Sequence, residues 1–303
     1  MKNLTGIILE PKRFAVHDGP GIRTTFFLKG CPLRCLWCHN PESISPQPEL
    51  AYYAHKCIRC GECAAICRSG AHGMAGEEHR FDRNRCTVCG SCETVCLGRA
   101  LRIYGKRVSP EEVVALALQD RIFYEQSGGG VTLSGGEPLF QAEFCLELLN
   151  QLKAAGLHTA LDTCCFVPRP ALEAALPVTD RFLVDFKHSD SVRHRELTGQ
   201  GNELILENLR FLSERGAEIE IRIPFVPGCN DSEENMERTG EILGSLNIDS
   251  VKLLSYHALA RSKYAALGKK DTMPSAPSPS PQQIDHAVQI LRKHHVNASS
   301  GTE

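Results

Sequence analysis

Short apolar runs alternate with amphipathic stretches along most of the chain. The apolar runs have strand-like composition and predict six β-strands, at 22–30, 129–138, 157–164, 180–187, 218–228 and 250–257. Apolar residues at helical spacing predict helices over 109–126, 141–155, 168–176, 203–215, 231–245 and 282–294. Because strands separated by helices usually pair in parallel, the pattern predicts an α/β fold, a partial (βα)6 barrel rather than the closed eight-unit form.

The first of these helices carries a complete start signal. Ser109 suits the N-cap, Pro110 suits the first helical position, and Glu112 stands where a capping box places an acid. We therefore expect the helix to begin at Pro110 and to extend to residue 126.

Composition and charge exclude some classes of protein. The chain has 303 residues, of which 42% are hydrophobic and 23% charged, enough to bury a sizeable core. The formal net charge is −2, so no nucleic-acid partner is expected. The first residues lack a signal-peptide pattern, and no apolar run reaches the length of about 18 residues that spans a membrane. We therefore expect a cytoplasmic protein with no membrane partner.

The cysteine content is the most informative feature of the composition. Fifteen cysteines are present, and eleven of them fall within residues 31–96 in three tight groups. In a cytosolic protein such groups indicate metal binding or redox chemistry rather than disulfides. Two groups, CIRCGECAAIC and CTVCGSCETVC, share the spacing C-x2-C-x2-C-x3-C and repeat at an offset of 29 residues.

The repeated spacing is typical of bacterial two-cluster ferredoxins, in which the fourth cysteine of each run binds the other [4Fe–4S] cluster. The first predicted ligand set is Cys57, Cys60, Cys63 and Cys96. The second predicted set is Cys86, Cys89, Cys92 and Cys67. The usual proline after the fourth cysteine is absent from both runs. Zinc binding is the alternative, although zinc ribbons rarely pack eight cysteines so tightly.

The repeats also define a predicted domain organisation. Residues 50–104 interrupt the alternation of strands and helices, so we expect a two-cluster ferredoxin-like insert there. Residues 1–49 and 105–270 then form the two parts of the barrel. Residues 271–303 are expected to form a Pro/Ser-rich linker, over 271–281, and a last helix.

The third cysteine group has three members only. Cys31, Cys35 and Cys38 have the spacing C-x3-C-x2-C, and Trp37 precedes the last of them. Three thiolates leave one iron of a [4Fe–4S] cluster without a protein ligand, which is what a catalytic metal centre needs. In the alternative, a remaining cysteine closes the cluster, the candidates being Cys145, Cys164, Cys165 and Cys229.

Polar groups follow every predicted strand. The three-cysteine loop follows the first strand, and the later strands deliver Ser-Gly-Gly-Glu-Pro at 134–138, Asp162-Thr163, Asp185 with Lys187, Arg222, and Tyr256-His257. Each feature alone has an ordinary explanation as a turn residue or a structural side chain. Because parallel barrels gather their chemistry at the carboxyl ends of the strands, the coincidence predicts one site at that face.

These motifs together resemble a known family. HDGPGIRTTFFLKGCPLRCLWCHNPES at 17–43 and SGGGVTLSGGEP at 127–138, with DTC, DFK and YH at later strand ends, are similar to radical S-adenosylmethionine enzymes. With the eight-cysteine insert, the chain resembles the glycyl radical enzyme activating enzymes, in the long form related to pyruvate formate-lyase activase. The resemblance implies that a 5′-deoxyadenosyl radical takes hydrogen from a glycine of a partner glycyl radical enzyme, and that no side chain acts as acid or base.

The resemblance also implies a ligand set. S-adenosylmethionine would complete the open cluster and contact Trp37, Cys38, His39, Gly135, Gly136, Glu137, Asp162, Asp185, Phe186, Lys187, Arg222 and His257. Asp162, Thr163 and Asp185 match positions that hold a monovalent cation in the family, and Asp18 lies in the loop near the substrate glycine. Structural alternatives are a core position for Trp37, turn roles for the aspartates and a salt bridge for Arg222.

Three clusters and a reductant follow from the same resemblance. The insert clusters would relay electrons from a flavodoxin or ferredoxin to the open cluster, and a structural or docking role for the insert is the alternative. Two other functions stay open: a radical enzyme acting on a small molecule or another peptide, and an iron–sulfur electron carrier. The electron carrier accounts for the insert but leaves the three-cysteine loop unexplained.

Overall fold

The computed structural model describes residues 4–273 and 276–301. The strands are β1 (Gly6–Ile8), β2 (Lys12–Ala15), β3 (Arg23–Leu28), β4 (Glu49–Tyr52), β5 (His72–Ala75), β6 (Glu78–Phe81), β7 (Leu101–Tyr104), β8 (Lys106–Val108), β9 (Gly130–Gly135), β10 (Thr159–Thr163), β11 (Arg181–Asp185), β12 (Ile219–Phe225), β13 (Ser250–Ser255) and β14 (Ala298–Gly301). Within the described ranges, no helix is long and apolar enough to cross a membrane.

One large sheet organises the chain. Its strand order is β14-β13-β12-β11-β10-β9-β3-β1-β8, with β2 paired to β3. Neighbours from β3 to β14 are parallel, whereas β1, β2 and β8 pair antiparallel. All six predicted strands are confirmed as β3 and β9 to β13, and their parallel pairing places the carboxyl ends at one edge. The prediction did not include β14, whose sequence ASSG has no apolar alternation.

The helices cover the sheet and connect its strands. They are α1 (Glu62–Ile66), α2 (Ser91–Thr94), α3 (Pro110–Leu118), α4 (Arg121–Ser127), α5 (Ala142–Ala154), α6 (Arg169–Ala175), α7 (Ser191–Thr198), α8 (Glu203–Glu214), α9 (Glu233–Gly244), α10 (Arg261–Ala266) and α11 (Pro281–Lys293). The prediction did not include α7 and α10. Leucines at helical spacing on α5, such as Leu148 and Leu152, are fully buried in the main core.

The helix predicted over 109–126 is two helices. Its start is confirmed, because Ser109 and Glu112 form the capping box and Pro110 is the first residue of α3. The single long helix is wrong, because the chain breaks between α3 and α4 at Asp120. That buried carboxylate accepts hydrogen bonds from the Arg13 guanidinium and from Thr24 Oγ1, at 2.8 Å for the hydroxyl. The helix is interrupted where Asp120 bonds to the sheet.

Residues 49–104 form two small antiparallel sheets apart from the large one. One pairs β4 with β7 and the other pairs β5 with β6. Elements 29 residues apart correspond: β4 with β6, β5 with β7, and α1 with α2. Arg59 and Val88, also 29 apart, both have positive φ, 58° and 54°. The sequence repeat is thus also a repeat of secondary structure and strand pairing.

The predicted linker is described in part. Residues 1–3, 274–275 and 302–303 lie outside the described residues, so part of the linker predicted over 271–281 does too. At its end Ser280 caps α11 through a capping box with Gln283. The domain boundaries drawn from the sequence stay a prediction.

Candidate functional site

A cavity of about 530 Å³ opens at the carboxyl ends of the parallel strands. Most of the predicted site residues line it. They are Asp18, Cys31, Cys35, Trp37, Cys38, His39, Gly135, Gly136, Asp162, Thr163, Asp185, Lys187, Arg222 and His257, joined by Ser134, Cys164, Tyr256 and Lys263. The topology thus brings together groups that are more than 200 residues apart in sequence.

The three-cysteine loop is held by elements that the sequence prediction missed. The Arg34 amide donates to the Thr198 carbonyl at the end of α7, at 2.7 Å. The Tyr264 hydroxyl, on α10, donates to the Cys38 carbonyl at 3.0 Å. Both helices therefore anchor the loop against the strand ends and fix where its thiols point.

The three thiols form a donor set that suits a metal cluster. Burial raises the pKa of Cys35 to about 11 and that of Cys38 to about 12, so without a metal both would keep their protons at neutral pH. A hydrogen bond with the Cys164 thiol lowers the pKa of Cys31. Thiolate ligands lose their protons when a metal binds. Three partly buried thiols that line one cavity fit a [4Fe–4S] cluster with one free iron.

The remaining four cysteines differ in their surroundings. Cys145 and Cys165 lie in the main core, and Cys229 packs in a small apolar cluster beside Trp37. Cys164 alone among these four lines the cavity. Of the four cysteines that could serve as a fourth ligand of the cluster, Cys164 therefore remains as the candidate.

Both glycines after β9 are required by the backbone of the neighbouring strand. A Cβ on Gly135, whose φ is +128°, would lie 2.2 Å from the Leu28 carbonyl oxygen. A Cβ on Gly136 would lie 2.3 Å from the Gly30 carbonyl oxygen. A side chain at either position would force the turn away from β3, so glycine keeps this wall of the cavity in place.

Glu137 has a different position from its neighbours. Its side chain is fully buried and does not line the cavity. It accepts hydrogen bonds from Leu139 N at 3.0 Å, Thr163 Oγ1 at 2.9 Å and Cys164 N at 2.8 Å. The carboxylate thus connects the turn after β9 to the end of β10. Phe186 is likewise buried in the main core rather than in the cavity wall.

Charged groups of both signs face each other across the cavity. Lys187 Nζ lies 2.8 Å from Asp185 Oδ2, so the two side chains form a salt bridge in the cavity wall. Arg222 Nη1 lies 3.9 Å from Asp18 Oδ1 and 3.9 Å from Asp162 Oδ2. Arg222 Nε also donates to Glu220 at 3.3 Å, so this arginine both forms a buried salt bridge and faces the cavity.

Asp162 has a strongly raised pKa. Its Oδ2 accepts a hydrogen bond from Ser134 Oγ at 2.6 Å. Burial raises the pKa of Asp162 from 3.8 to about 7; Arg222 opposes the rise and the charge of Asp185 adds to it. A cation bound between Asp162 and Asp185 would stabilise the ionised form of both.

We expect the stability of the cluster-free chain to depend on this carboxyl. Because the folded chain holds a proton on Asp162 that the unfolded chain has released, its contribution is present below pH 4 and lost as pH rises to about 7. The change is at most roughly 4 kcal/mol. Denaturant unfolding from pH 4 to 8 measures it, and Asp162→Asn should remove this part of the slope. The exposed Asp285→Asn is the control; equal slopes for wild type and Asp162→Asn would contradict the prediction.

Aromatic rings and a lysine complete the wall. His39 stacks on His257 with ring centroids 4.2 Å apart, and Tyr256 lies beside His39 at 5.6 Å. Lys263 Nζ donates to Glu42 at 2.6 Å and to the His39 carbonyl at 3.0 Å. No sequence signal marked Lys263, because a lysine on a short helix is ordinary and its partner Glu42 is 221 residues away.

The insert contains two further and much smaller cavities, of about 20 Å³ each. Four cysteines line each. The first cavity has Cys57, Cys60, Cys63 and Cys96, and the second has Cys67, Cys86, Cys89 and Cys92. Backbone amides of Ala71 and Ala100 donate to Cys67 Sγ and Cys96 Sγ, each at 3.2 Å. Four thiols around one space, with amides directed at the sulfurs, suit an iron–sulfur cluster in each cavity.

Comparisons with known proteins agree with this geometry. A sequence profile described as "Radical SAM superfamily" matches residues 82–239. The trans-4-hydroxy-L-proline dehydratase activating enzyme of Clostridioides difficile is 41% identical over 298 residues, which cover 97% of this chain and 99% of that protein. The benzylsuccinate synthase activating enzyme of Thauera aromatica is 42% identical over 271 residues, covering 87% and 82%. A crystal structure of a domain of the pyruvate-formate lyase-activating enzyme from Bacteroides vulgatus is 31% identical with a TM-score of 0.50, covering 57% of this chain and 99% of that domain.

A parallel α/β sheet with a three-cysteine loop at its carboxyl ends defines the class: the chain is a radical S-adenosylmethionine enzyme. Within that class it belongs to the activating enzymes of glycyl radical enzymes. The family implies a [4Fe–4S] cluster and S-adenosylmethionine, and the donor set described above fits both.

Proposed function

We propose that the chain activates its partner through a cluster held by Cys31, Cys35 and Cys38, with S-adenosylmethionine in the adjoining cavity. When bound, the reduced cluster supplies the electron that cleaves S-adenosylmethionine, and the radical so produced takes hydrogen from a glycine. The observation that carries the proposal is that three partly buried thiols line a cavity formed at the ends of six of the seven parallel strands. Cys31, Cys35 and Cys38 would hold three irons of the cluster and leave the fourth to the cosubstrate, for which the cavity has space.

Each group of residues in the cavity wall would contact a different part of the cosubstrate. The turn at Gly135 and Gly136 would approach the methionine amino group, since no side chain intervenes there. Lys187 and Arg222 would offset the cosubstrate carboxylate. The stacked rings of His39 and His257 would hold the nucleoside part, with Trp37 packed behind them in its apolar cluster.

A monovalent cation would belong beside the carboxylate. Asp162, Thr163 and Asp185 all line the cavity, and burial disfavours a charge on Asp162 unless a cation offsets it. The existing partner of Asp185 is Lys187, so Asp162 is the carboxylate with more to gain from a cation.

Asp18 is placed to meet the partner's glycine segment. It is half-buried, and its Oδ2 accepts from Thr25 Oγ1 at 2.7 Å, which fixes the loop at residues 16–24. Its other oxygen lies near Arg222 across the cavity. A carboxylate held in this way would accept a hydrogen bond from a backbone amide of an incoming peptide.

The insert would be a two-cluster ferredoxin-like unit at residues 50–104, as in a long-form activating enzyme. The two four-cysteine cavities and the 29-residue structural repeat support this proposal. Cys60 and Cys89 are exposed, so a flavodoxin or ferredoxin would have access to either cluster. The three clusters together would then carry electrons from that reductant to the cavity.

The relatives do not distinguish among partners. Their names refer to a dehydratase, a synthase and lyases at 39–42% identity, so the proposed partner is a glycyl radical enzyme without a further choice.

The test is deuterium transfer from a glycine peptide. The chain is reconstituted with iron and sulfide without oxygen, reduced, and supplied with S-adenosylmethionine and peptides that carry Cα-dideuterated glycine. We expect deuterium in 5′-deoxyadenosine, which mass spectrometry measures, and no deuterium from a matched peptide with Cα-deuterated alanine. Asp18→Asn should lower the transfer more than it lowers cleavage without peptide. Cleavage with no deuterium transfer from any candidate glycine would favour a small-molecule substrate instead.

A further inference from the structure

Exposed apolar side chains gather at the first of the two cysteine cavities in the insert. Ile58, Met74 and Leu97 are 60%, 37% and 80% exposed. Ile58 and Met74 line the first cavity, and Leu97 lies between Cys96 and Gly98, which also line it. A Cβ on Gly98 would lie 3.5 Å from Ile58 Cγ2, so Ile58 packs beside the chain at Leu97. These three exposed residues form the apolar rim of the first cavity.

The fold of the insert does not require an apolar rim. By the 29-residue repeat, Ile58 corresponds to Thr87 and Leu97 corresponds to Arg68. Both of these residues are exposed as well, and Thr87 lines the second cavity. Arg68 follows the fourth cysteine of its run as Leu97 does. Since equivalent positions accept polar side chains, the apolar rim points to a contact outside the chain.

Cations surround the apolar rim. Lys56, Arg59 and Arg99 are all exposed, and Arg59 lines the first cavity. The Lys56 carbonyl oxygen would lie 2.5 Å from a Cβ on Gly98, so Lys56 and the chain at Gly98 are neighbours. Glu62 is exposed and lines the same cavity, so the three cations outnumber this acid. The balance of charge favours a partner with an acidic surface.

The first cavity is also the one farther from the anchored end of the insert. Glu49, at the start of β4, lies 3.2 Å from the buried Lys29 Nζ and 3.0 Å from Lys269 Nζ. Along β4, Leu50 lines the second cavity and Tyr52 lines the first. Two residues of a strand span roughly 6.6 Å. The second cavity is therefore closer to the anchored end, which joins the chain just before the three-cysteine loop.

We propose that the apolar rim and its cations are the docking surface of an acidic one-electron carrier. This inference rests on the proposed cluster content of the insert. The carrier is oxidised by one electron, and the cluster in the first cavity is reduced by that electron; no bond forms or breaks. Weak electron-transfer complexes bury less than about 1,200 Å², so a small apolar contact within a ring of cations suits one. The ligands of the receiving cluster are Cys57, Cys60, Cys63 and Cys96.

Leu97→Glu tests the docking surface without changing a cavity wall. Leu97 lines neither cavity, so both clusters should load as in the wild type. The new carboxylate stands where the acidic carrier would bind. Arg68→Gln is the matched control, because it also changes the charge by −1, at the related position beside the second cavity. Leu97→Ser removes the apolar contact without adding a charge.

The measurement is stopped-flow oxidation of two purified carriers, flavodoxin hydroquinone and reduced two-cluster ferredoxin, by the full cluster-loaded chain. It is made without oxygen or S-adenosylmethionine in about 0.15 M salt, where the Debye length is about 8 Å and distant charges are screened. With the carrier that reduces the wild type, Leu97→Glu should lower the second-order rate constant about tenfold and Leu97→Ser about threefold, and Arg68→Gln should lower it less than twofold. Dithionite should reduce all four proteins equally, because a small anion needs no docking surface.

The outcomes separate this inference from the proposed function. A wild-type chain that takes up iron and sulfide for one cluster only would refute the proposed cluster content. Insert clusters that dithionite reduces but neither carrier reduces would overturn the docking surface alone. Arg68→Gln slowed as much as Leu97→Glu would also overturn it, because entry would then not be confined to the first cavity. If Leu97→Glu loaded poorly, a wild-type rate in Leu97→Ser would overturn the proposal, and a threefold loss would support it.

Discussion

Cys35→Ala should abolish cleavage of S-adenosylmethionine while leaving the two clusters proposed for the insert in place. In the proposed site Cys35 is the middle of the three ligands, and its loss would leave two thiols for four irons. The protein's contribution to this reaction is binding and orientation, and the difficult chemistry belongs to the cofactor. We therefore expect 5′-deoxyadenosine production to fall to the level of a cluster-free control, at least about 10⁶-fold if the cluster provides the whole rate enhancement.

The controls for this experiment use other cysteines of the chain. Cys229 packs against the apolar side chains around Trp37, and its thiol does not line the cavity. Cys229→Ala should therefore retain cleavage. Cys164→Ala removes the thiol that hydrogen-bonds Cys31. If Cys164 closes the cluster before the cosubstrate binds, this variant alone should change the EPR spectrum recorded without S-adenosylmethionine. Full cleavage by Cys35→Ala would refute the assignment of the open cluster.

The sequence predicted the central sheet well because each of its strands has a strong local signal. β3 and β9 to β13 are apolar runs bounded by turn residues, and parallel pairing then dictates that their ends meet. β14 has no such signal, since its sequence ASSG is small and polar and its pairing with β13 is decided by tertiary contacts. The break at Asp120 was missed for the same reason, because its partners are on distant strands.

The sequence prediction missed α7 and α10, the two helices that hold the cysteine loop, for different reasons. α7 has few apolar residues but has both end signals: Asp190 accepts a hydrogen bond from Arg193 N at 2.9 Å, and Gly199 ends the helix with φ +85°. Cap signals alone would have located it. α10 has no side-chain cap, and its function depends on Tyr264 reaching Cys38 across 226 residues. The pattern of apolar and polar residues does not predict a contact between residues so far apart in sequence.

The site shows the same limit at the level of single residues. By resemblance, the backbone of Glu137, with that of Gly135 and Gly136, is expected to receive the methionine amino group, and no role was predicted for the Glu137 side chain. The motif located the turn correctly, but the direction of the side chain depends on the three donors around it. Two of those donors are on β10 or just after it, so a neighbouring strand decided the role.

Glu137→Ala should therefore reduce stability and cosubstrate binding together. The change leaves two buried backbone N–H groups and the Thr163 hydroxyl without their acceptor. An unsatisfied buried donor costs about 1–3 kcal/mol, so a loss of about 3–5 kcal/mol is expected after partial relaxation. Thermal unfolding of the anaerobic, cluster-loaded chain should show a fall in Tm of about 6–10 °C. Calorimetric titration should show weaker S-adenosylmethionine binding, because the turn at Gly135 is no longer tied to β10.

A graded series distinguishes this explanation from a general loss of packing. Glu137→Gln keeps one acceptor oxygen, which can serve Thr163 and Cys164, but its amide group faces Leu139 N, so about one hydrogen bond of the three is lost. Its effect on Tm should be near a third of that of Glu137→Ala. Glu143→Ala, at an exposed position on α5, should change Tm by little more than 1 °C and leave binding intact. If Glu137→Gln were as damaging as Glu137→Ala, the negative charge rather than the hydrogen bonds would be what holds the two strand ends together.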